Sequence, residues 1–172
     1  MKKRIFEGED IPLLFGHRGY SSLAPENTLS AFRLCREHGI PGIELDVHRC
    51  ASGELVVIHD SSLLRTAGLD ARVEECDLSL IEGLDAGSWF GPSYAGERIP
   101  LLSEVFEDIG DSLYYDIEIK HSEKKPMRLE SELVRLIAAY GLQKRVLVSS
   151  FNPFAVREVL QGNCSSNKFT GG

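Results

Sequence analysis

The sequence predicts an α/β fold built on a parallel sheet. Short apolar runs of β character alternate along the chain with amphipathic runs of helical period, an alternation typical of βα units. The length of 172 residues suits one domain, and a composition of 42% hydrophobic and 26% charged residues is that of an ordinary globular protein.

The predicted elements follow this alternation. The strands fall at residues 11–15, 43–48, 55–59, 113–120 and 145–150. The helices fall at residues 27–38, 78–84, 100–109, 127–140 and 153–160. Pro25 and Asn27 suit the start of the first helix and Gly39 its end, while Gly141 ends the fourth helix. Strands two and three are so close in sequence that a short loop must join them.

Two segments depart from the regular pattern. Residues 61–100 are irregular and indicate a compact insertion of loops and a short helix after strand three. Residues 162–172 are polar, end in glycines and lack a core pattern. We therefore predict a disordered tail there, beyond a domain that spans residues 1–161.

Charge and cysteine content exclude several classes of protein. The net charge is −7 and Lys and Arg form no cluster, so the sequence predicts no nucleic-acid partner. No apolar run suits a signal peptide or a membrane span. The four cysteines are scattered without a Cys-x-x-Cys pair, which argues against zinc and a disulfide framework and favours reduced thiols in the cytoplasm.

Two predicted strands carry acids at every second position inside apolar runs. Side chains of a strand alternate between its faces. The polar sets that share one face are Glu44, Asp46 and His48 in strand two and Asp116, Glu118 and Lys120 in strand four. Buried carboxylates need a partner or a metal, and oxygen ligands without soft donors indicate Mg²⁺ or Ca²⁺. The alternative is that these acids are ion-paired with Arg18 or Lys120, or lie on an exposed edge strand.

Two histidines end predicted strands, His17 after strand one and His59 after strand three. Carboxyl ends of strands carry the active sites of parallel α/β barrels, and histidine transfers protons well near neutral pH. Two such histidines can serve as a general base and a general acid in one reaction. Arg18 can hold phosphate oxygens with two hydrogen bonds. The remaining histidines, which we interpret as structural or surface residues, are His38, His48 and His121.

These residues belong to a set of motifs with a characteristic order and spacing. In chain order the motifs are His17-Arg18-Gly19, Pro25-Glu26-Asn27-Thr28, Ala31-Phe32, Glu44-Leu45-Asp46-Val47, Gly53-Glu54-Leu55-Val56-Val57-Ile58-His59-Asp60, Arg65-Thr66, Ile99-Pro100-Leu101-Leu102-Ser103-Glu104-Val105, Ile117-Glu118-Ile119-Lys120 and Ser149-Ser150-Phe151. Together they resemble the glycerophosphodiester phosphodiesterase family over residues 13–160.

The resemblance implies a (β/α)8 barrel of the phosphodiesterase type with a small insertion after strand three. It implies that Glu44, Asp46 and Glu118 hold a divalent cation, Mg²⁺ or Ca²⁺. It implies His17 and His59 as the general acid/base pair, with Arg18 and Lys120 beside the phosphate of the substrate. The expected reaction releases glycerol 3-phosphate and an alcohol such as choline or ethanolamine from a small glycerophosphodiester.

The sequence also departs from the family pattern. Cys50 and Ser52 stand in the turn after strand two where Thr and Asp are usual, at positions we interpret as structural. A complete barrel takes about 250 residues, and the family's later motifs have no counterpart here. We therefore expect a barrel truncated after about five strands, whose open edges favour self-association. Three alternatives remain, a non-catalytic remnant, a related barrel phospholipase and a metal-dependent sugar-phosphate enzyme.

Overall fold

The structure, a computed structural model, describes residues 13–120 and 129–166 of the chain. The strands within these ranges are β1 (Phe15–Gly16), β2 (Gly42–Arg49), β3 (Leu55–Val57), β4 (Tyr114–Ile119) and β5 (Val146–Ser149). The α-helices are α1 (Leu29–Glu37), α2 (Leu64–Ala67), α3 (Leu78–Ile81), α4 (Leu102–Ile109), α5 (Leu129–Ala139) and α6 (Pro153–Ser166). Short 3₁₀ turns occur at Val73–Glu75 and Pro92–Tyr94.

Four strands form a parallel sheet in the order β1-β2-β4-β5, with helices connecting them, as part of a (β/α)8 barrel. β4 pairs with one edge of β2, and β1 pairs with the start of the opposite edge. β5 and β1 end the sheet in the described part of the chain. The predicted α/β class with its parallel sheet is confirmed.

The direction of strand three corrects one expectation. β3 runs antiparallel to β2, with Val57 opposite Val47, so His59 does not follow a parallel barrel strand. The physical reason is the connection between β2 and β3, because a parallel crossover needs a dozen or more residues and this loop is far shorter. The chain turns back along β2, and the Ile58 N–H donates to the Asp46 carbonyl at 3.0 Å. His59 therefore lies at the level of the acids of β2.

The apolar face of the sheet forms the main core against the helices. Ile43, Leu45 and Val47 of β2 are fully buried, and they share one cluster with Phe32 of α1 and Phe106 of α4. β4 alternates as predicted between buried aliphatic or aromatic residues and half-buried polar ones. This packing directs the acids of both strands to the opposite face.

The insertion after β3 has a core of its own. The buried members of this second cluster are Cys50, Val56, Ile58, Leu63, Val73, Cys76, Ile81, Ala86 and Ile99. Ser52 links the turn before β3 to the insertion, since its Oγ accepts the Leu78 N–H at 2.9 Å. Glu97 links the insertion to α1 by accepting both the N–H and the hydroxyl of Ser30. The predicted insertion is thus a small packed unit docked on the sheet.

Several helix bounds differ from the prediction. α1 begins at Leu29 because Thr28 is its N-cap, with Thr28 Oγ1 accepting the Ala31 N–H at 3.3 Å. α6 runs on to Ser166, into the first part of the predicted tail. Residues 11–12 of strand one, residues 127–128 of the fourth helix, His121 and residues 167–172 lie outside the described residues. None of the described helices has the length and apolarity that would let it cross a bilayer.

Candidate active site

Three acids predicted as metal ligands converge on the polar face of the sheet. The register of β2 and β4 places Asp46 directly beside Glu118, with Glu44 two residues earlier on β2. One carboxylate oxygen from each of the three residues lies within 4.8 Å of the others. Asp46 is buried, with 1% of its side chain exposed, while Glu44 and Glu118 are half-buried.

Two cationic side chains contact this acid cluster, as expected from the alternative that the acids are ion-paired with Arg18 or Lys120. The Lys120 Nζ lies 2.6 Å from Glu118 Oε1 and 2.9 Å from Asp46 Oδ1. The Arg18 Nε lies 3.5 Å from Asp46 Oδ2. Two cations facing three carboxylates leave one negative charge uncompensated, and Asp116 beside Glu44 adds another. The ion pairs therefore coexist with a surplus of negative charge.

The pKa values of the cluster reflect this surplus. Burial, followed by the nearby charge of Asp46, raises the pKa of the Glu44 carboxyl to about 7, against a backbone hydrogen bond from Arg18. Burial also raises the pKa of Asp116. For Lys120, burial lowers the pKa, but hydrogen bonds to Glu118 and Asp46 outweigh it and leave the pKa raised. The cluster is thus a site where a further cation is favourable.

The donor set fits a hard divalent cation. Asp46 Oδ1 is a buried carboxylate oxygen that accepts no well-aligned hydrogen bond, although the Lys120 ammonium lies 2.9 Å away. Carboxylate oxygens from Glu44, Asp46 and Glu118 are the ligands that Mg²⁺ and Ca²⁺ prefer. A bound cation would give Asp46 Oδ1 a second partner beside Lys120 and relieve the repulsion among the acids.

The loop after β1 holds the acids in place. Arg18 and Asn27 adopt left-handed backbone conformations, with φ of 56° and 58°. Such conformations persist in non-glycine residues only where the surroundings fix them. The Arg18 N–H donates to Glu44 Oε2 at 2.8 Å, and the Asn27 amide donates to Asp46 Oδ2 at 2.8 Å. Asn27 Oδ1 accepts the Asp46 N–H in return at 3.3 Å.

The two predicted proton-transfer residues lie in different surroundings. His17 Nε2 is 3.9 Å from Glu44 Oε2, and its side chain is 70% exposed, so it is free to meet a substrate beside the acids. The His59 ring instead makes a hydrogen bond from Nδ1 to Asp60 Oδ1 at 2.6 Å. Within the described residues, no hydrogen bond or ion pair joins this ring to the three acids.

Comparison with known proteins identifies the family. The model of the glycerophosphoryl diester phosphodiesterase family matches residues 17–161. The chain belongs to this family.

Proteins of this family align with most of the chain. A glycerophosphodiester phosphodiesterase of Caldanaerobacter subterraneus subsp. tengcongensis is 45% identical over 148 residues, which are 86% of this chain and 61% of the relative. The structure of a glycerophosphodiester phosphodiesterase from Agrobacterium tumefaciens superposes with a TM-score of 0.82 at 30% identity, covering 90% of this chain and 64% of that one.

A second similar structure was solved with a bound product. An Oleispira antarctica phosphodiesterase, solved in complex with the product sn-glycerol-3-phosphate, matches with a TM-score of 0.76 at 35% identity. The match covers 88% of this chain and 62% of that one. The chain thus spans less than two thirds of the length of these family members.

Four residues of the site were not predicted to have a role there, namely Glu26, Asn27, Asp60 and Arg65. The sequence signal existed, because all four lie inside family motifs, but the contacts of Asn27 with Asp46 and of Glu26 with Arg65 join positions that are far apart in sequence. Of the histidines interpreted as structural, His48 is buried and its Nε2 lies 3.1 Å from the His59 carbonyl. Burial lowers the pKa of His48, which favours a neutral ring. His38 is exposed and packs edge-on against Tyr20.

Proposed function

We propose that this site hydrolyses glycerophosphodiesters to glycerol 3-phosphate and an alcohol, with the help of a divalent cation. The convergence of Glu44, Asp46 and Glu118 beside His17, in a chain of this family, is the observation that carries the proposal. The Oleispira antarctica relative, solved with sn-glycerol-3-phosphate, supports the same substrate class.

The acidic and the basic side chains of the site would bind different groups, the acids the divalent cation and the basic residues the phosphate. Glu44, Asp46 and Glu118 would hold Mg²⁺ or Ca²⁺, which supplies Lewis-acid polarisation of the phosphate when bound. Arg18 and Lys120 already lie against the acids and bring positive charge toward phosphate oxygens. Together they orient the phosphate so that its phosphorus faces a nucleophile.

The two histidines move the protons of the reaction. One of them, His17 or His59, takes the proton of a glycerol hydroxyl as that oxygen bonds to phosphorus, and the other protonates the departing alcohol oxygen. Water then opens the resulting cyclic phosphate, with the two histidines in exchanged roles, and yields glycerol phosphate. His59 uses Nδ1 for Asp60, so Nε2 is the nitrogen that carries the transferred proton.

Release of glycerol 3-phosphate from glycerophosphocholine by the purified chain tests the proposal. We expect release with Mg²⁺ or Ca²⁺ and none in EDTA. His17→Ala and Glu44→Ala should each lower the rate by about 100-fold or more, whereas His38→Ala, an exposed histidine away from the acids, should retain it. Sphingomyelin vesicles should not be cleaved. A folded chain that binds Mg²⁺ in calorimetry but releases no product would contradict the proposal and favour the non-catalytic alternative.

The proposed products, glycerol 3-phosphate and an alcohol, connect the reaction to lipid and glycerol metabolism. We also propose a cytoplasmic location, from the scattered pattern of the four cysteines.

A further inference from the structure

A chain of ion pairs joins the two loops that carry His59 and Arg18. Asp60 Oδ1 accepts from His59 Nδ1 at 2.6 Å, and Asp60 Oδ2 accepts from Arg65 Nε at 2.6 Å. Arg65 then reaches Glu26, which accepts a further hydrogen bond from Arg18 Nη1 at 3.0 Å. Every link is assisted by charge, and such hydrogen bonds are stronger than neutral ones.

Arg65 is the centre of this chain because its planar guanidinium contacts both acids at once. Its Nη1 and Nη2 donate to the two carboxylate oxygens of Glu26 at 3.0 and 2.7 Å, while Nε serves Asp60. A guanidinium presents these donors in a fixed plane, which lysine cannot reproduce. The orientation of both carboxylates is therefore determined by one side chain.

Arg65 connects two parts of the chain that are distant in sequence. Arg65 lies on α2, the first helix of the insertion, and the loop after β1 that carries Glu26 is 39 residues away in sequence. Asp60 is ionised at neutral pH, and the hydrogen bonds from Arg65 and His59 lower its pKa further, to about 2. An ionised Asp60 requires the proton of a neutral His59 to sit on Nδ1.

We propose that Arg65 is a positioning residue that fixes the tautomer of His59 through Asp60 and the orientation of Arg18 through Glu26. The inference rests on the proposed function, because it assigns the insertion a part in preparing the proton-transfer histidine. Residues that orient a substrate-contacting group in this way commonly change activity by about 10-fold to 100-fold when removed, on the order seen at metal sites.

The test compares Arg65→Gln with Arg33→Gln as a matched control. Arg33 also makes two hydrogen bonds to one carboxylate, Asp108, both at 3.0 Å, and its side chain is 46% exposed against 43% for Arg65. It joins α1 to α4 on the outside of the sheet. One readout is the His59 tautomer from ¹⁵N NMR of the imidazole rings, assigned with His59→Gln. The other is kcat and KM for glycerophosphocholine.

For Arg65→Gln we expect a loss of the Nδ1-protonated tautomer and a fall in kcat of about 10-fold to 100-fold, with a smaller change in KM. Arg33→Gln should change neither. In an Asp60→Asn background, Arg65→Gln should lower kcat less, because its effect through Asp60 is already lost while its effect on Arg18 through Glu26 remains. If Arg65→Gln does not fold, Arg65→Lys replaces it, because lysine keeps the positive charge but lacks the planar set of donors. It should show the same loss of the Nδ1-protonated tautomer in weaker form.

An unchanged tautomer in a folded Arg65 variant overturns the proposal, as does an unchanged kcat in an active enzyme. The NMR readout needs no turnover. If the wild-type chain releases no glycerol 3-phosphate, the proposed function fails, while the His59 tautomer still decides whether Arg65 positions the ring.

Discussion

Glu44 is held by the fold in an unfavourable state when no cation is bound. Its side chain is 12% exposed, Asp46 is two residues away on the same face of β2, and Asp116 is its neighbour on β4. Burial and these charges raise the pKa of Glu44 to about 7, from an ordinary value of 4.5. A carboxyl whose pKa is raised on folding favours the native state at low pH, and this advantage disappears as the pH rises toward 7.

Glu44→Gln should therefore stabilise the cation-free chain at pH 8 but not at pH 5. At pH 5 Glu44 is already protonated in the folded state, so the neutral amide changes little. At pH 8 the ionised carboxylate opposes folding, and its removal should raise the free energy of unfolding by about 2 kcal/mol. Urea unfolding in EDTA at both pH values measures the difference. An equal effect at both pH values would show that the burial of charge is not its cause.

Excess Mg²⁺ provides the control for this prediction. A cation bound by the acids should stabilise the wild-type chain more than Glu44→Gln at pH 8. In excess Mg²⁺ the wild-type chain would then be more stable than Glu44→Gln, which is the opposite of the order expected in EDTA.

The last part of the insertion, residues 86–97, depends on one tight approach between its two ends. A Cβ on Gly87 would lie 1.9 Å from the Tyr94 carbonyl oxygen and 2.7 Å from the Glu97 Cβ. The same segment is closed by a hydrogen bond from the Ala86 N–H to the Glu97 carbonyl at 2.7 Å. Glu97 in turn contacts Ser30 of α1, so the turn at Gly87 also determines how the insertion docks on the barrel helices.

Gly87→Ala should destabilise the chain by about 1–3 kcal/mol, because a backbone carbonyl must move to admit the methyl group. Gly91→Ala is the matched control in the same loop. Gly91 has an extended φ of 170°, and a methyl group added there would meet no atom within 4 Å, so its substitution should be nearly neutral. Urea unfolding of both variants checks the prediction, and equal stabilities would contradict the tight approach.

The sheet of the described chain ends in two strands with free edges. β1 and β5 are the outer strands of the parallel order, and unpaired strand edges promote association. Large apolar side chains lie exposed next to β5, since Phe151 is 94% and Phe154 is 69% exposed. We therefore expect the predicted self-association to use a surface made of β5, Phe151 and Phe154.

Sedimentation velocity of the 172-residue chain over a range of concentrations should show association. The double variant Phe151→Lys/Phe154→Lys should weaken it, because charged residues beside an edge strand disfavour pairing with a second copy. Trp89→Lys, at an exposed apolar residue of the insertion, should leave it unchanged. A wild-type chain that stays monomeric at high concentration would refute the prediction.

The cluster of three acids was predictable because its signal is local. Glu44, Asp46 and Glu118 stand at alternate positions of apolar strands, and strand geometry alone places them on one face. The direction of β3 was also open to prediction, since the short connection between β2 and β3 excludes a parallel pair. The network around Arg65 was not predictable in this way, because Glu26 meets Arg65 only after the insertion folds over the loop that follows β1.

The sequence by itself determined the α/β class, the order of the strands and the main helices, the acid faces of β2 and β4 and the family, because each depends on short-range periodicity or on a contiguous motif. Only the tertiary structure decided which charges meet. Asn27 meets Asp46, Lys120 meets Asp46, and Arg65 meets Glu26 through contacts between segments that are separate in sequence. Their distances depend on how the strands align and the insertion docks, and those arrangements follow from packing of the whole core.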